Sequence, residues 1–188
     1  MTKYAKLTEA GQLQILARIP YVSNPTEEMV AKYALENGYK PLEETPSPGS
    51  YYNKKYIDAG DKITTEWEPW NLDVAKSHAL NIIQARRNNA MNDVVIPCEG
   101  LPNGILYNTE AVTNALAMMV MQTAGQLPEG QTWTDAADET HPLTPELLAA
   151  ISAAMVAHGN SVQESVRPAR DAVRAAENVD DVEKALHM

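Results

Sequence analysis

The stretch WEPWNLDVAKSHALNIIQARRNNAM, Trp67–Met91, contains the point at which the sequence changes from a strand-like to a helical pattern. Before Asn71, apolar residues recur at every second position, which is the period of a strand with one buried face. After Asn71 they recur with a period of 3.6, which is typical of an amphipathic helix. The sequence therefore predicts an α+β protein, with a β-rich N-terminal module over residues 1–70 and a mainly α-helical C-terminal domain over residues 71–188.

Two hairpins and one short helix are predicted in the N-terminal module. KYAKL and QLQILARI flank a turn-like TEAG, and one face of the second strand carries Leu13, Ile15, Ala17 and Ile19. Asp58-Ala59-Gly60-Asp61 is a turn sequence between two strands whose expected packing residues are Tyr51, Tyr56, Ile57, Ile63 and Trp67. Thr26 caps the short helix and Asn37-Gly38 ends it, before a Pro-rich surface connection, KPLEETPSPGS.

Helix signals dominate the C-terminal domain. Asn71 caps a first helix whose apolar stripe consists of Val74, Ala75, Ala79, Ile82, Ile83 and Met91. A connection rich in Gly and Pro, VVIPCEGLPNG, leads to a second helix that Asn108 caps and Gly125 ends. Thr144 and Pro145 begin a third helix, and Asn178 caps a last short one.

The third helix carries one long apolar stripe. Ile151, Val162 and Val173 follow each other at intervals of eleven residues, which keeps them on one side of the helix. The stripe could form a coiled coil with another copy, but two repeats are few, and packing within the chain is favoured. Pro168 removes a backbone hydrogen bond and clashes with the carbonyl of Glu164, so we expect a bent helix or two helices.

Bulk properties restrict the classes of partner. The chain has 188 residues, 44% of them apolar, which suffices for one ordinary domain or two small ones. Its net charge of -10 repels phosphate, so we expect no nucleic-acid partner. The longest apolar stretch, AVTNALAMMVMQTAG, is too short to cross a bilayer, and the N-terminus has no apolar run of a signal peptide. We therefore expect that the protein is synthesised in the cytoplasm and that it does not insert into a membrane.

No residues are predicted as catalytic, cofactor-binding or metal-binding. The four histidines, His78, His141, His158 and His187, stand singly, without the spacing of metal ligands. Cys98 lacks the helix start or glycine-bounded turn that would activate a thiol, and no phosphate-binding loop occurs. We expect no cofactor.

The stretch WTDAADETHPLT, Trp133–Thr144, crowds an aromatic ring, carboxylates and a histidine together. The favoured interpretation is a small hairpin in which Trp133 and Leu143 cover the helices while the carboxylates remain in water. An enzyme, for example a hydrolase, would need Asp135, Asp138 or Glu139 to meet another acid in a cleft. Sequence alone does not rule out that alternative, but the hairpin interpretation is favoured and we expect no enzymatic activity.

The order of these features resembles a domain of unknown function found in bacteriophage and prophage genes near tail fibres. The resemblance covers roughly residues 76–187 and includes the W-T-x-A-x-D segment, the P-L-T cap and the leading L-L-A-A-I-S-A-A-M-V-A-H of the third helix. Its matching residues are Leu101, Asn108, Ala115, Leu116, Trp133, Asp138, Leu143, Thr144, Leu147, Leu148, Ala154, His158, Val182 and Leu186. Pro168 departs from the uninterrupted helix expected there. The N-terminal half is similar to the leaders of small phage tail-associated proteins.

The resemblance implies a structural or accessory component of a bacteriophage virion, associated with the tail or tail-fibre apparatus, and assigns no site residues. Its expected partners are other phage structural proteins and, in a homo-oligomer, further copies of the chain. The expected location is the virion, after synthesis in the host cytoplasm. The alternative is a tail-fibre assembly chaperone that does not remain in the particle.

Overall fold

A computed structural model describes residues 2–20 and 22–188 of the chain. The protein is of mixed α/β structure, with 45% of residues in helices and 23% in strands. It divides into two compact units, Met1–Ala75 with Glu177–Glu183 and Lys76–Ala176 with Lys184–Met188. Strands occur in both units, and the prediction of an α+β protein with a mainly helical C-terminal domain is therefore wrong.

The first unit contains a five-stranded sheet with the order β2-β1-β3-β5-β4. Its strands are β1 Tyr4–Leu7, β2 Leu13–Ile15, β3 Lys40–Glu43, β4 Tyr52–Asp58 and β5 Ile63–Pro69. Neighbouring strands are antiparallel except for the parallel pair of β3 and β5. The two predicted hairpins are thus parts of one sheet, which β3 completes between them.

Strand β3 lies where the sequence predicts a surface connection. Pro41 and Pro46 favour a loop, but Leu42 pairs with Ile63, and the Leu42 N–H donates to the carbonyl of Lys3 at 2.8 Å. Pairing on both sides holds this four-residue strand despite the proline. The tertiary structure therefore decides the conformation against a local turn signal.

The first hairpin is shorter than predicted. Only three residues of QLQILARI form β2, and Ile15 is 51% exposed, so the predicted apolar face is wrong beyond Leu13. Ile19 is buried, but it lies after the strand. Period-two spacing is a weak predictor at a sheet edge, where few backbone bonds fix the strand.

The predicted short helix and second hairpin are confirmed. Helix α1, Glu27–Glu36, begins at Thr26, whose hydroxyl accepts a bond from the Met29 N–H at 3.3 Å. Gly38 follows it with φ +72°, a conformation that glycine adopts without strain. In the hairpin β4–β5, Tyr51 and Ile63 are buried, whereas Ile57 is 41% exposed and is not a packing residue.

The remaining elements follow the predicted helix caps. They are α2 Leu72–Met91, β6 Val94–Cys98, β7 Leu101–Tyr107, α3 Thr109–Thr123, β8 Thr132–Thr134, β9 Thr140–Pro142, α4 Pro145–Ala175 and α5 Val179–Leu186. The side chains of Asn71, Asn108, Thr144 and Asn178 each accept a backbone N–H of the helix that follows. In α2, Ala75, Ala79 and Ile83 are buried as predicted, but Val74 is 56% exposed.

The hairpin β6–β7 replaces the predicted connection VVIPCEGLPNG and accounts for the error in fold class. Val95 and Leu106 pair with each other and are 57% and 41% exposed, so apolar residues lie on the outer face as well as the inner one, and the alternation typical of a strand is weak. Without that alternation, the prolines and glycines of VVIPCEGLPNG favour the prediction of a loop. The pairing is irregular between Ile96 and Cys98, a β-bulge that accommodates them.

Helix α4 is continuous over 31 residues, with Pro168 inside it. The alternative of two separate helices is therefore wrong. Ile151, Val162 and Val173 are all buried, which confirms that the apolar stripe packs within the chain. In the second unit, Leu148, Ile151 and Met155 of α4 pack with Ile105 and Trp133 in one apolar core.

Candidate functional site

The hairpin β8–β9 contains the crowded stretch that the sequence singles out. Trp133 pairs with His141, and the turn between the strands closes with a bond from the Asp135 N–H to the Glu139 carbonyl at 2.9 Å. Asp138 has φ +62°, a left-handed conformation that Asp tolerates better than most residues. The predicted hairpin and its turn are confirmed.

Trp133 and Leu143 face the core, as predicted. Their exposed fractions are 6% and 8%. The Trp133 Nε1 has no hydrogen-bond partner among the residues that the structure describes. The contribution of the ring is therefore apolar packing under the helices.

Asp135 has the one buried charged side chain among residues 2–20 and 22–188, which corrects the expectation that all the carboxylates of this turn remain in water. Its Oδ1 accepts the backbone N–H groups of Ala137 at 2.9 Å and Glu139 at 3.0 Å. Its Oδ2 accepts the amide of Asn103 at 2.8 Å and Nε2 of His141 at 2.9 Å. We call Asp135 with these four donors the Asp135 clasp.

The clasp joins two hairpins. Asn103 lies on β7, and the neighbouring Gly104 accepts a bond from the Ala136 N–H at 3.2 Å. Gly104 has φ +72°, and a Cβ there would overlap the carbonyl oxygen of Ile96. Only glycine fits this position without displacing the backbone. The approach of the β8–β9 turn to β7 therefore depends on both a side-chain and a backbone contact.

Hydrogen bonding determines the charge of Asp135. Burial alone would raise the pKa of its carboxyl, but the bonds from His141, Asn103, Ala137 and Glu139 outweigh burial and hold the pKa well below its usual range. An ionised carboxylate only accepts hydrogen bonds, so His141 carries a proton on Nε2. Asp135 cannot act as a general acid near neutral pH, and as a base it has no free lone pair directed at a substrate.

The same residues have some features of a metal site. Potential ligand atoms of Asp135, Glu139 and His141 lie within 4.8 Å of one another, the one such group in the described part of the chain. A cation would have to displace the His141 proton and the Asn103 amide, which also donates to Glu139 Oε2 at 3.2 Å. The arrangement fits a hydrogen-bonded structural clasp better than a metal centre, and the absence of metal ligands stays a prediction.

Cys98 and His158 lie outside the clasp, and neither has the surroundings of a reactive group. Burial, followed by the charge of Glu99, raises the pKa of the Cys98 thiol, which keeps it protonated and a poor nucleophile at neutral pH. His158 lies edge-on to Tyr107, with ring centroids 4.7 Å apart, and its Nε2 is 2.9 Å from the carbonyl of Ala90. It is a packed residue, in agreement with the sequence-based interpretation.

Asn103 is the clasp residue that the sequence does not reveal. It is separated from Asp135 by 32 positions, and the Pro-Asn-Gly around it resembles an ordinary loop. In the sequence, His141 is a single histidine without the spacing of metal ligands. The turn sequence that begins at Asp135 predicts that this Asp accepts backbone N–H groups. Nothing near Asp135 in the sequence predicts its bond with Asn103.

A second candidate is a surface without charged side chains. Leu116 and Val120 of α3 are 61% and 63% exposed, and Val156 of α4 is 62% exposed. Met119 joins the two helices, because its sulfur accepts a bond from the Ser152 hydroxyl at 2.7 Å, one helical turn before Val156. We call this surface the α3–α4 face, consisting of Leu116, Met119, Val120, Thr123, Ala149, Ser152, Ala153 and Val156.

No helix in the described part of the chain combines the length and the apolar character needed to span a bilayer. The expectation of no membrane insertion is consistent with this finding.

Comparisons with known proteins give one match. No curated protein and no solved structure is significantly similar to the chain. One family, DUF4376, described as a domain of unknown function, matches residues 74–185. These residues include the whole Asp135 clasp and the α3–α4 face. Because the match covers more than half of the sequence, the chain belongs to the DUF4376 family.

Proposed function

We propose that the protein is a structural or accessory component of a bacteriophage virion, associated with the tail or tail-fibre apparatus. The observation that carries this proposal is the order of sequence features over residues 76–187, which resembles a domain encoded near phage tail fibres. The proposed site of synthesis is the host cytoplasm, and the proposed partners are other tail or fibre proteins.

Two structural features support a binding or scaffolding role over catalysis. Asp135 is sealed by four donors and carries no group available for proton transfer. The α3–α4 face exposes apolar side chains without a charged residue among them. Exposed apolar surface of this kind is a mark of interaction sites, and those include protein–protein contacts.

An assembly chaperone is the second candidate, because an exposed apolar face could also hold an unassembled fibre chain. The two candidates differ in where the protein is found after assembly. A virion component remains in the particle in a fixed ratio to other tail proteins. A chaperone is absent from the particle and raises the yield of soluble fibre protein.

The test is quantitative mass spectrometry of gradient-purified particles produced from the genome that encodes this chain. We expect its peptides at a constant ratio to tail proteins across the particle peak, while an abundant host cytosolic protein falls away on either side. Absence from the peak would overturn the virion proposal. In that case, co-expression with the fibre gene tests the chaperone, which should increase soluble fibre protein and then separate from it.

A further inference from the structure

A groove of about 350 Å³ lies against strand β8 in the second unit of the chain. Its lining includes Ile105 and Leu106 of β7, the N-terminal turns of α3 and the residues from Thr132 to Asp135. Ligand pockets usually measure about 300–1,000 Å³, so the groove can hold a small molecule or a short segment of another chain. Its backbone edge, an unpaired buried donor and its charge favour the segment.

One edge of β8 has no partner strand. Among the described residues β8 pairs only with β9, and the Leu143 N–H donates to the Gln131 carbonyl at 2.9 Å. Antiparallel strands exchange hydrogen bonds at alternate pairs, of which this is one and the pair that closes the turn at Asp135 is another. Thr132 and Thr134 fall between these pairs, so their N–H and C=O groups point away from β9. Both residues line the groove, which therefore receives unpaired backbone groups.

The groove also borders a buried donor that lacks an acceptor. Trp133 is 6% exposed and lines the groove, and its Nε1–H has no hydrogen-bond partner within residues 2–20 and 22–188. The other two indole N–H groups are paired, that of Trp67 with Thr45 and that of Trp70 with Asn53, both at 3.1 Å. Because buried polar groups are nearly always hydrogen-bonded, an unpaired donor beside a groove indicates an acceptor that arrives with a ligand.

Charge around the groove selects a basic occupant. Residues 88–166 contain nine Asp and Glu but no Lys or Arg. Two of these acids, Glu110 and Asp138, are exposed residues of the groove lining, whereas Asp135 is already saturated by the clasp. Ile105 and Met118 add apolar surface to the same lining. An extended chain presents alternate side chains to opposite faces, so it can offer apolar groups to one part of the lining and basic groups to the other.

We propose that this groove binds an extended segment of a partner protein that alternates apolar and basic side chains. The segment adds a strand to the β8–β9 hairpin through the N–H and C=O groups of Thr132 and Thr134. Its basic side chains lie near Glu110 and Asp138, and one of its carbonyl oxygens accepts the Trp133 Nε1–H. The net charge of -10 attracts such a segment to the chain.

The length of β8 sets the expected strength of binding. The strand has three residues, so a partner segment gains few backbone hydrogen bonds. We expect a dissociation constant on the order of 100 µM, which corresponds to a weak and reversible contact. Binding at this groove does not require the protein to be part of a virion, so its failure and the failure of the virion proposal are separate results.

The test is an NMR titration of the ¹⁵N-labelled full chain with the synthetic peptide Lys-Val-Lys-Val-Lys, blocked at both ends. The chain has three tryptophans, and Trp67→Phe and Trp70→Phe each remove one indole N–H signal, which leaves the third to Trp133. We expect the Trp133 signal to shift as its N–H gains an acceptor, while the other two stay in place. The peptide Glu-Val-Glu-Val-Glu should cause no shift, because the acids of the groove repel it.

Matched charge variants separate binding in the groove from general attraction to an acidic protein. Glu110→Gln combined with Asp138→Asn should weaken binding of the lysine peptide about tenfold, since two ion pairs are lost. Asp93→Asn combined with Glu129→Gln is the control, with the same net charge and with both exposed acids outside the groove. Asp93 and Asp138 also share a left-handed backbone, with φ +55° and +62°, so both exchanges place Asn in the same conformation. The control should leave the affinity nearly unchanged.

N-methylated peptides test the strand pairing. Alternate N–H groups of a paired segment face β8, so a methyl group on both valine nitrogens and one on the central lysine backbone nitrogen should have opposite effects. One of these two peptides should lose binding, and the other should keep it. A Trp133 signal that the lysine peptide does not shift, equal weakening by the two pairs of charge variants, or an equal effect of the two methylations would each overturn the proposal.

Discussion

Two turns of this protein have nearly the same sequence. They are Asp58-Ala59-Gly60-Asp61 between β4 and β5 and Asp135-Ala136-Ala137-Asp138 between β8 and β9. In both, the first Asp accepts the N–H of the residue two positions later, at 2.9 Å. The Asp58 side chain is 44% exposed and binds Lys40, whereas the Asp135 side chain is fully buried and binds Asn103 and His141. Local sequence thus determines the turn, and residues from elsewhere determine its environment.

The difference explains what each turn contributes. Lys40 binds Asp58 at 2.5 and 2.6 Å on the surface, where water and salt compete with the ion pair. Asp135 has no such competition, and the loss of any donor leaves a buried charge with unmet hydrogen-bonding capacity. We therefore expect the stability of the protein to be more sensitive at the second turn.

The largest effect is expected from removing the buried ring of Trp133, two residues before Asp135. Trp133→Ala should lower the free energy of unfolding by about 3–5 kcal/mol, because a buried aromatic side chain leaves a cavity. Trp67→Ala, on the half-buried strand that leads away from the exposed turn, is the control and should cost less. Urea denaturation followed by circular dichroism measures the free energy of unfolding of both variants. Equal decreases would show that the two tryptophan side chains are equally well packed.

An intermediate effect is expected from Asp135→Asn. The amide can still accept the N–H groups of Ala137 and Glu139, but its own N–H groups would face the donors of Asn103 and His141. The variant should be clearly less stable than wild type at pH 7. Because folding lowers the pKa of Asp135, its contribution is complete above the unfolded pKa of about 4 and is lost as pH falls below it.

Urea denaturation at several pH values tests this dependence. The stability difference between wild type and Asp135→Asn should shrink as pH falls below about 4. If the difference in stability were as large at pH 3 as at pH 7, the stabilising effect of Asp135 would come from the fit of its side chain and not from its charge.

The smallest effect is expected from Asp58→Asn. Asparagine keeps the bond to the Gly60 N–H and loses only the ion pair with Lys40, which also contributes to the lowered pKa of Asp58. The stability should fall less than for Asp135→Asn, and 1 M NaCl should remove most of the difference from wild type, since it shortens the screening length to about 3 Å. Thermal melts at low and high salt measure it, and a loss that resists salt would argue against a surface ion pair.

Sequence reasoning succeeded where the signal was local. The caps at Thr26, Asn108 and Thr144 and the hairpin around Asp58 follow from neighbours a few residues apart, and all are present. Strand β3 and the hairpin β6–β7 depend on pairing partners distant in sequence, and they carry prolines and glycines that locally favour loops. Those strands were missed for that reason.

The candidate site divides in the same way. The sequence predicts Trp133 as a packing residue and the turn after it, since an aromatic residue before an Asp-rich turn and a helix cap is a recognisable pattern. The burial of Asp135 was not, because it requires Asn103 to arrive from another hairpin. The sequence of α3 has apolar residues around most of the helix. Only the structure shows which of them pack in the core and which remain exposed.

Gly104 has a consequence for how such sequences can diverge. Its missing side chain makes room for the carbonyl of Ile96, its left-handed backbone excludes most other residues, and its own carbonyl receives the Ala136 N–H. An exchange of Asp135 can be offset by matching changes at Asn103 or His141, since side chains can be replaced in pairs. No second substitution restores the space at Gly104, so a descendant that loses this glycine must rebuild the junction between both hairpins.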